Sequence, residues 1–326
     1  MRILKFGGKS LSTTEKMQKI AKNIKKIYEN DKKIIIVVSA MGDDTNSLFK
    51  LASGFKENKL ELAKLVSLGE MKSSAMMSII LNNAGVKSKS VCAADIGILT
   101  FGDPLNSKIA YINKSKILKL MENDTVLVVT GFQGVDKNGN ITLLGRGGSD
   151  TTASAIGAIF GVSPEIYSNF DGVFCGDPKI MNYKKIKSLS YDSMINMARL
   201  GAKVIEKRAA EIAQNFKINI ISKSSTEMGK KGTLIGPIED SSISISTIEN
   251  LCQIGIVFSD ESLFEKISKN VLFLLKDIKF YNLNISKCKI VFEIEGKNKN
   301  EIIYALSKKL NLLSKKLDSW ISVQLK

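Results

Sequence analysis

The sequence predicts an α/β fold in which helices sandwich a largely parallel open sheet, followed by a small α+β domain of the ferredoxin-like type. Short aliphatic runs, such as residues 34–38, alternate with longer segments that carry apolar residues at helical spacing. Near the C-terminus the order changes to strand, helix, two strands, helix and strand. A chain of 326 residues is long enough for two domains, and we expect them at residues 1–238 and 245–326.

The first predicted domain begins with a strand that runs directly into a glycine pair. Asn138-Gly139 lies between two apolar runs and is typical of a hairpin turn. The predicted strands are 3–6, 33–39, 125–130, 141–144, 165–167 and 218–222. The predicted helices are 12–29, 60–81, 106–121, 145–159, 191–199 and 203–216.

A polar, glycine-containing segment and a serine-rich segment, 223–236 and 240–246, separate the two predicted domains. Beyond them, the predicted strands are 252–258, 283–287, 289–295 and 320–325, and the predicted helices are 261–276 and 300–313. This order of elements predicts one ferredoxin-like unit.

The chain has no histidine, and this absence excludes several classes of enzyme. Serine-histidine-aspartate hydrolysis, histidine-ligated zinc and histidine general bases all require that residue. The four cysteines lie far apart and form no CxxC pair, so neither a zinc knuckle nor a disulfide framework is indicated. The chemistry left to the chain uses carboxylates, Lys, Arg, hydroxyls, backbone dipoles and any bound cation, which suits phosphoryl transfer.

Forty-eight basic residues against 32 acidic ones give a formal net charge of +16. Only four of the basic residues are arginines, whereas proteins that read nucleic acid favour arginine interleaved with aromatic residues. We therefore interpret the lysines as solvated surface and expect no nucleic-acid partner. No apolar run approaches the ~20 residues of a membrane helix, and the N-terminus turns polar by Lys5. We expect a soluble cytoplasmic protein without a membrane partner.

Two glycine-rich turns each lie where a helix is predicted to begin. KFGGKS at 5–10 follows the first strand, and its glycines would let the backbone approach phosphate oxygens. The turn at 145–150 contains Arg146, one of the four arginines. Arginine offers a planar fork that grips a carboxylate through two hydrogen bonds. The two turns predict an anion-binding cleft, although either one alone is also consistent with a common turn or helix cap.

Three further carboxylates are candidates with weaker signals. Asp171 and Asp177 lie in a turn-rich segment after a predicted strand, where ligands gather in open α/β sheets. On their own, such segments are more often simply turns. Glu70, inside a predicted helix, would by base rate be a surface residue.

Seven motifs occur in the order and spacing found in aspartate kinases, and over about residues 1–236 the sequence resembles that family of the amino-acid kinase superfamily. The motifs are KFGGKS at 5–10, SAMGDDT at 39–45, LGE at 68–70, GFQG at 131–134, GRGGSDTTA at 145–153, FDGVFCGDPK at 170–179 and LGAKV at 200–204. GRGGSDTTA and the DGV…DP segment are specific to aspartate kinases within the superfamily.

The resemblance implies an amino-acid-kinase fold with an ACT-like C-terminal domain. It also implies transfer of the ATP γ-phosphoryl group to the β-carboxylate of L-aspartate, which gives 4-phospho-L-aspartate for lysine, threonine and methionine synthesis. The implied catalytic residues are Lys5, which stabilises the transferring phosphoryl group, and Asp150, which orders the groups around it and its Mg²⁺. The implied aspartate-binding residues are Ser39, Thr45, Glu70, Arg146 and Ser149. The residues expected at the ATP are Lys5, Gly7, Gly8, Gly147, Gly148, Ser168, Asn169, Asp171, Phe174, Asp177, Lys179, Lys203 and Val204.

The sequence departs from the family pattern at several places. Lys9 replaces a small hydroxyl residue, Asn169 an aspartate and Lys179 an arginine. Lys9 could extend into solvent, add affinity for phosphate or obstruct the aspartate pocket. The chain has room for one ACT-like unit where typical relatives carry two, and the 259–262 loop has no glycine. Feedback inhibition is therefore in doubt, while a homodimer through the C-terminal domain is still expected.

Two alternatives remain open. A kinase for another acceptor, such as a glutamate 5-kinase or a uridylate kinase, would share the fold, but the two aspartate-specific motifs argue against it. A catalytically impaired or regulatory nucleotide-binding homologue would account for Lys9, Asn169 and the short C-terminal region.

Overall fold

The computed structural model describes residues 1–56, 58–238, 243–248, 253–259, 261–276, 278, 280–286, 288–294, 299–310 and 312. The chain divides into two compact units, which are Met1–Asp171 with Arg208–Gly232, and Gly172–Lys207 with Thr233–Lys326. The division into domains at residues 1–238 and 245–326 stays a prediction.

The first unit contains most of the strands and helices. Its strands are β1 (Arg2–Phe6), β2 (Ile34–Val38), β3 (Ser88–Val91), β4 (Ile98–Phe101), β5 (Lys108–Ile112), β6 (Val126–Thr130), β7 (Gln133–Val135), β8 (Ile141–Leu143), β9 (Glu165–Ser168) and β11 (Ile220–Ser224). Its helices are α1 (Thr14–Asn30), α2 (Asp44–Leu51), α3 (Lys59–Asn83), α4 (Lys114–Leu120), α5 (Gly148–Phe160) and, from Arg208 on, α7 (Lys207–Phe216).

The main sheet of this unit is parallel, with its strands in the order β11-β9-β1-β2-β6-β3. All five residues of β2 are buried, as expected of a strand that is covered on both faces. Alternate side chains of β1, β2 and β6 enter two hydrophobic clusters, one shared with α1 and α3 and the other with α4 and α5. Helices therefore sandwich the sheet, and the predicted α/β fold is confirmed.

Local sequence explains where the long helices begin and which face they bury. The side chain of Thr13 caps α1 by accepting a hydrogen bond from the Lys16 N–H, and Asn58 caps α3 in the same way. The buried residues of α1 recur at the spacing of one helix face, which packs on the sheet. They are Met17, Ile20, Ala21 and Ile24.

A second, four-stranded sheet has the order β5-β4-β7-β8 and corrects one prediction. The predicted helix 106–121 is wrong, because its first part is β5, which pairs antiparallel with β4, and only its second part is α4. Ile109, Tyr111 and Ile112 favour a strand. Asn113 then caps α4 by accepting a hydrogen bond from the Lys116 N–H. The predicted hairpin is confirmed, since β7 and β8 pair antiparallel around the Asn138-Gly139 turn.

The second unit contains a parallel pair and an antiparallel sheet. Its elements are β10 (Ser188–Ser190), α6 (Tyr191–Arg199), β12 (Thr233–Gly236), β13 (Ile243–Ile248), β14 (Gln253–Phe258), α8 (Glu261–Leu275), β15 (Phe280–Ser286), β16 (Lys289–Ile294) and α9 (Lys299–Lys309). β10 pairs with β12, and the antiparallel sheet has the order β13-β14-β16-β15.

The antiparallel sheet agrees with the predicted C-terminal α+β region. The order β14, α8, β15, β16, α9 matches the first five elements expected of a ferredoxin-like unit. The sixth, the predicted strand 320–325, lies outside the described residues. β13 was not predicted, although Ile243 and Ile245 alternate with serines in the pattern of a strand.

Candidate active site

The carboxyl ends of several parallel strands meet at one edge of the main sheet, and the loops that follow them are joined by backbone hydrogen bonds. The Ser39 N–H, just after β2, donates to the Phe6 carbonyl at 3.1 Å, and the Gly131 N–H, just after β6, donates to the Val38 carbonyl at 2.9 Å. The Gly7 N–H donates toward β9, to the Tyr167 carbonyl, at 3.3 Å. Ligands of open α/β sheets bind at this edge.

The first glycine-rich turn approaches the loop after β2 so closely that only glycine fits. A Cβ atom on Gly8 would lie 2.5 Å from the carbonyl oxygen of Ala40. The Gly8 carbonyl accepts a hydrogen bond of 3.0 Å from the Gly42 N–H. Lys9, the departure in this turn, has an exposed side chain, which agrees with the first of its three possible roles, extension into solvent.

Lys5 and Asp150 connect the two glycine-rich turns. The Lys5 Nζ atom lies 2.6 Å from Asp150 Oδ1, and the two side chains are only 11% and 9% exposed. Asp150 stands in the first turn of α5, where free N–H groups and the helix dipole favour negative charge. A fixed ammonium beside a helix N-terminus is suited to bind an anion such as a phosphate group.

The second glycine-rich turn presents Arg146 at the surface. The Arg146 side chain is exposed, and it makes no hydrogen bond or ion pair with any residue in the part of the chain that the structure describes. Ser149 is buried and packs on the loop after β6, because a Cβ atom on Gly131 would lie 2.6 Å from its Oγ atom. The turn thus offers an unpaired guanidinium a few residues before the Lys5–Asp150 pair.

Glu70 is a buried carboxylate with one oxygen left unpaired. It lies on α3 with only 3% of the residue exposed. Its Oε1 atom accepts a hydrogen bond of 3.0 Å from the Ala40 N–H, and Oε2 has no partner among the described residues. Burial raises the pKa of Glu70 to about 7, and the nearby charge of Asp44 acts in the same direction. A cationic ligand would stabilise the ionised form of this buried carboxylate.

Ser39 and Thr45 are the remaining predicted aspartate-binding residues. Ser39 directly precedes Ala40, whose N–H binds Glu70, and it is half-buried. Thr45 is the second residue of α2 and is also half-buried. Ser39 immediately follows β2 and Thr45 stands at the start of α2, so both belong to the segment that leaves the carboxyl end of β2, to which Glu70 is hydrogen-bonded.

The loop after β9 brings part of the predicted nucleotide-binding set beside the first turn. Asn169 Oδ1 accepts a hydrogen bond of 3.4 Å from the Ser10 hydroxyl, which also donates to Ser225 Oγ at 2.8 Å. Ser168 forms a local turn with Phe170. Ser225 was missed by sequence reasoning, because its contact to Ser10 spans 215 positions and has no local signal. Asp171 is the last residue of the first segment of this unit, Met1–Asp171.

The other predicted nucleotide-binding residues belong to the second unit, so their place relative to Lys5 stays a prediction. Phe174 forms a β-bridge with Lys185, and the Asp177 carboxylate accepts a hydrogen bond of 2.9 Å from the Lys179 N–H. The side chains of Asp177, Lys179 and Lys203 are exposed, and that of Val204 is half-buried.

One carboxylate of the first unit, that of Asp150, has the chemistry of a ligand for Mg²⁺ that arrives with a nucleotide. Within the described residues, no group of three or more His, Cys, Asp or Glu side chains could hold a metal ion unaided. Mg²⁺ in nucleotide sites is bound mainly by phosphates and waters, with one or two carboxylates. Asp150, at the start of α5, is a carboxylate in the right place for such an ion.

Comparison with known proteins identifies the family to which this chain belongs. The model of the amino acid kinase family matches residues 1–222. The chain therefore belongs to the amino acid kinase family.

Within this family, the chain is similar to several aspartokinases. The aspartokinase of Geobacillus stearothermophilus is 35% identical over 263 residues, which cover 79% of this chain and 63% of that protein. Aspartokinase 2 of Bacillus subtilis is 36% identical over the same shares. The aspartokinase of Helicobacter pylori strain 26695 is 36% identical over 72% of this chain and 58% of that protein. This chain thus spans less than two thirds of the length of these relatives.

Solved structures support the fold. E. coli aspartokinase III in complex with aspartate and ADP superposes with a TM-score of 0.79 at 16% identity, over 95% of this chain and all of that one. Aspartate kinase from Synechocystis gives a TM-score of 0.64 at 22% identity, over 97% of this chain and 70% of that one. Separately, none of the helices that the structure describes has the length and apolar character needed to cross a membrane.

Proposed function

We propose that the protein is an aspartate kinase, which transfers the γ-phosphoryl group of ATP to the β-carboxylate of L-aspartate and releases ADP and 4-phospho-L-aspartate. The observation that carries the proposal is the buried Lys5–Asp150 pair at 2.6 Å, in a unit that also holds a Glu70 oxygen and an Arg146 guanidinium without partners among the described residues. The similarity to aspartokinases supports the same activity.

The reaction requires no general base from the protein. The β-carboxylate of aspartate is ionised at neutral pH, so one of its oxygens attacks the γ-phosphorus directly. A new oxygen–phosphorus bond forms as the bond to the β,γ-bridging oxygen breaks, and ADP leaves with that electron pair. A chain without histidine is therefore sufficient. Lys5 stabilises the negative charge on the transferring group, and Asp150 fixes the Lys5 ammonium.

Mg²⁺ fits the carboxylate of Asp150 and, when bound with ATP, would neutralise charge on the nucleotide phosphates. The backbone of Gly7 and Gly8 can approach the phosphates from one side, and that of Gly147 and Gly148 from the other. The resemblance to aspartate kinases assigns further residues of each unit to nucleotide binding. They are Ser168, Asn169 and Asp171 in the first unit, and Phe174, Asp177, Lys179, Lys203 and Val204 in the second.

The proposed aspartate site recognises both ends of an amino acid. Glu70 accepts the α-ammonium, and Arg146 grips a carboxylate through its planar fork. The hydroxyls of Ser39, Thr45 and Ser149 complete the polar surroundings. The proposal extends to a cytoplasmic enzyme that works as a homodimer through residues 245–326 and supplies the precursor of lysine, threonine and methionine.

An ADP-release assay with different acceptors tests this function. We expect L-aspartate to stimulate release strongly, while L-glutamate, UMP and a control without acceptor stay at the background rate. Stimulation by glutamate or UMP instead would indicate a related kinase with another acceptor. ATP binding, measured by calorimetry, without turnover on any acceptor would indicate the impaired homologue.

A further inference from the structure

Arg208, near the start of α7, is hydrogen-bonded to three groups that lie far away in sequence. One of its terminal nitrogens, Nη1, donates to the Leu144 carbonyl at 2.8 Å and to the Ser107 carbonyl at 3.3 Å. The other, Nη2, donates to Asn106 Oδ1 at 2.6 Å. All three acceptors belong to the first unit. Leu144 and Ser107 are almost fully buried, so their carbonyls would lose most of their polar contacts without this guanidinium.

The bond to Leu144 fixes the start of the second glycine-rich turn. Leu144 immediately precedes Gly145, and its N–H donates to the Phe132 carbonyl at 2.9 Å. Both peptide groups around Leu144 are therefore held. The Phe132 N–H in turn donates to Thr152 Oγ1 at 3.1 Å, which ties down the end of the turn. Phe132 has a positive φ of 71°, a conformation that non-glycine residues adopt only where surrounding contacts impose it.

The bond to Asn106 fixes the surface on which the turn rests. Gly145 has a φ of 74°, and a Cβ atom there would lie 2.4 Å from Asn106 Oδ1. The same Asn106 oxygen accepts the hydrogen bond from Arg208. One guanidinium therefore holds both the residue before Gly145 and the side chain that Gly145 packs against.

Arg146 depends on this support, because no described residue binds its own side chain. It stands two positions after Leu144, and Gly145 and Gly147 on either side are conformationally permissive. The position of the Arg146 guanidinium therefore depends on how rigidly the start of the turn is held.

We propose that Arg208 is a positioning residue for the acceptor site: it fixes Leu144 and Asn106 so that Arg146 is held where it meets the carboxylate of an acidic amino-acid acceptor. This role rests on the proposed function and deepens it. Arginine is required because its planar fork serves two carbonyls and an amide at once, whereas a lysine ammonium has no such fixed geometry.

Steady-state kinetics of Arg208→Lys and Arg208→Met test the effect on the acceptor. We expect the KM for L-aspartate to rise about fivefold in the lysine variant and about tenfold or more in the methionine variant. The KM for ATP and the kcat should stay within about twofold of the wild type. An unchanged aspartate KM, or an equal loss for both substrates, would overturn the proposal.

Arg2→Lys is the matched control, because Arg2 is the other arginine with side-chain hydrogen bonds inside the first unit, to Glu165. Arg2→Lys should lower the midpoint of thermal unfolding without changing the aspartate KM.

In the double variant Arg146→Lys with Arg208→Lys, the rise in the aspartate KM should be clearly smaller than the product of the single effects, since Arg208 acts through Arg146. Multiplicative effects would show that the two residues act independently.

Hydrogen exchange separates this proposal from the proposed activity. In Arg208→Lys, a peptide that covers residues 143–150 should exchange faster than in the wild type, while a peptide that covers residues 2–8 should not change. Unchanged exchange at 143–150 would overturn the positioning role. If L-aspartate fails to stimulate ADP release by the wild type, the proposed function fails, and the exchange result still decides whether Arg208 holds the turn.

Discussion

Two glutamates in the first unit are both buried but have very different surroundings. Glu165 and Glu70 are 8% and 3% exposed. Glu165 accepts hydrogen bonds from Arg2 Nε at 2.9 Å, from the Tyr167 hydroxyl at 2.7 Å and from Lys223 Nζ at 3.1 Å, so both of its oxygens are paired. Among the described residues, Glu70 accepts one hydrogen bond, from the Ala40 N–H to Oε1, and its Oε2 atom has no partner.

The pKa values of the two carboxyls shift in opposite directions. Burial alone would raise the pKa of Glu165, but the Tyr167 hydrogen bond and the charges of Arg2 and Lys223 hold it below its usual range. Burial raises the pKa of Glu70 to about 7. Glu165 is the first residue of β9, whereas Glu70 binds the loop after β2, at the opposite end of the parallel strands. Complete pairing marks a structural carboxylate, and incomplete pairing marks one that is suited to a ligand.

The largest effect on activity is expected from substitutions at the two ends of β1, which extend the comparison between the two ends of the parallel strands. Lys5→Ala removes the cation at the ligand end and should lower kcat by about 10³-fold or more, because charge on the transferring phosphoryl loses its stabilisation. Arg2→Ala, at the other end of β1, should mainly lower stability. ADP release and thermal unfolding of both variants measure the difference. Near-normal turnover of Lys5→Ala would contradict its role.

Glu70→Gln tests whether the unpaired oxygen binds the substrate. A neutral amide cannot pair with the α-ammonium, so the KM for L-aspartate should rise about 100-fold while the KM for ATP stays unchanged. Stability at pH 8 should be unchanged or higher, because the variant no longer buries an ionised carboxyl. A large loss of thermal stability with an unchanged aspartate KM would make Glu70 structural, like Glu165.

Glu165→Gln should give the reverse result. Leaving Arg2 and Lys223 without their buried anion should reduce the free energy of unfolding by about 3 kcal/mol at pH 7. The aspartate KM should stay within about twofold. Because the folded pKa of Glu165 is depressed, its contribution is present above the unfolded pKa and is lost as the pH falls through the folded value. Urea unfolding of wild type and variant at pH 7 and pH 4 should therefore show a smaller difference at pH 4.

The sequence has local signals for the candidate site residues but none for the network around Glu165. Lys5, Arg146 and Asp150 lie in glycine-rich turns, whose spacing is a local signal. The Glu165 network depends on the register of three strands, in which Leu4 and Ile221 both pair with Glu165, and no local pattern encodes that register. The polar edge strand β3 was missed because it has no apolar run.

The sequence also contains a signal for Arg208, which is the scarcity of arginine in this chain. The scarcity of arginine in a lysine-rich chain indicates Arg146 as a candidate, and the same argument applies to Arg208. Its partners lie 64 to 102 positions away, so its role becomes visible only in the folded chain.

The pH dependence of aspartate binding gives the smallest effect and the sharpest comparison. Only ionised Glu70 can pair with an ammonium group, so the KM for L-aspartate should fall about tenfold between pH 6 and pH 8, around the pKa of about 7. Glu70→Gln should remove this dependence, and Glu165→Gln should keep it.

The contribution of Glu70 to the free energy of unfolding should change in the opposite direction, because it falls as the pH rises. Because the folded pKa of Glu70 lies above the unfolded one, its stabilising contribution is complete below the unfolded pKa and is lost as the pH rises through about 7. A KM that is flat from pH 6 to pH 8 in the wild type would show that Glu70 does not bind the ammonium, and the contrast with Glu165 would then concern stability alone.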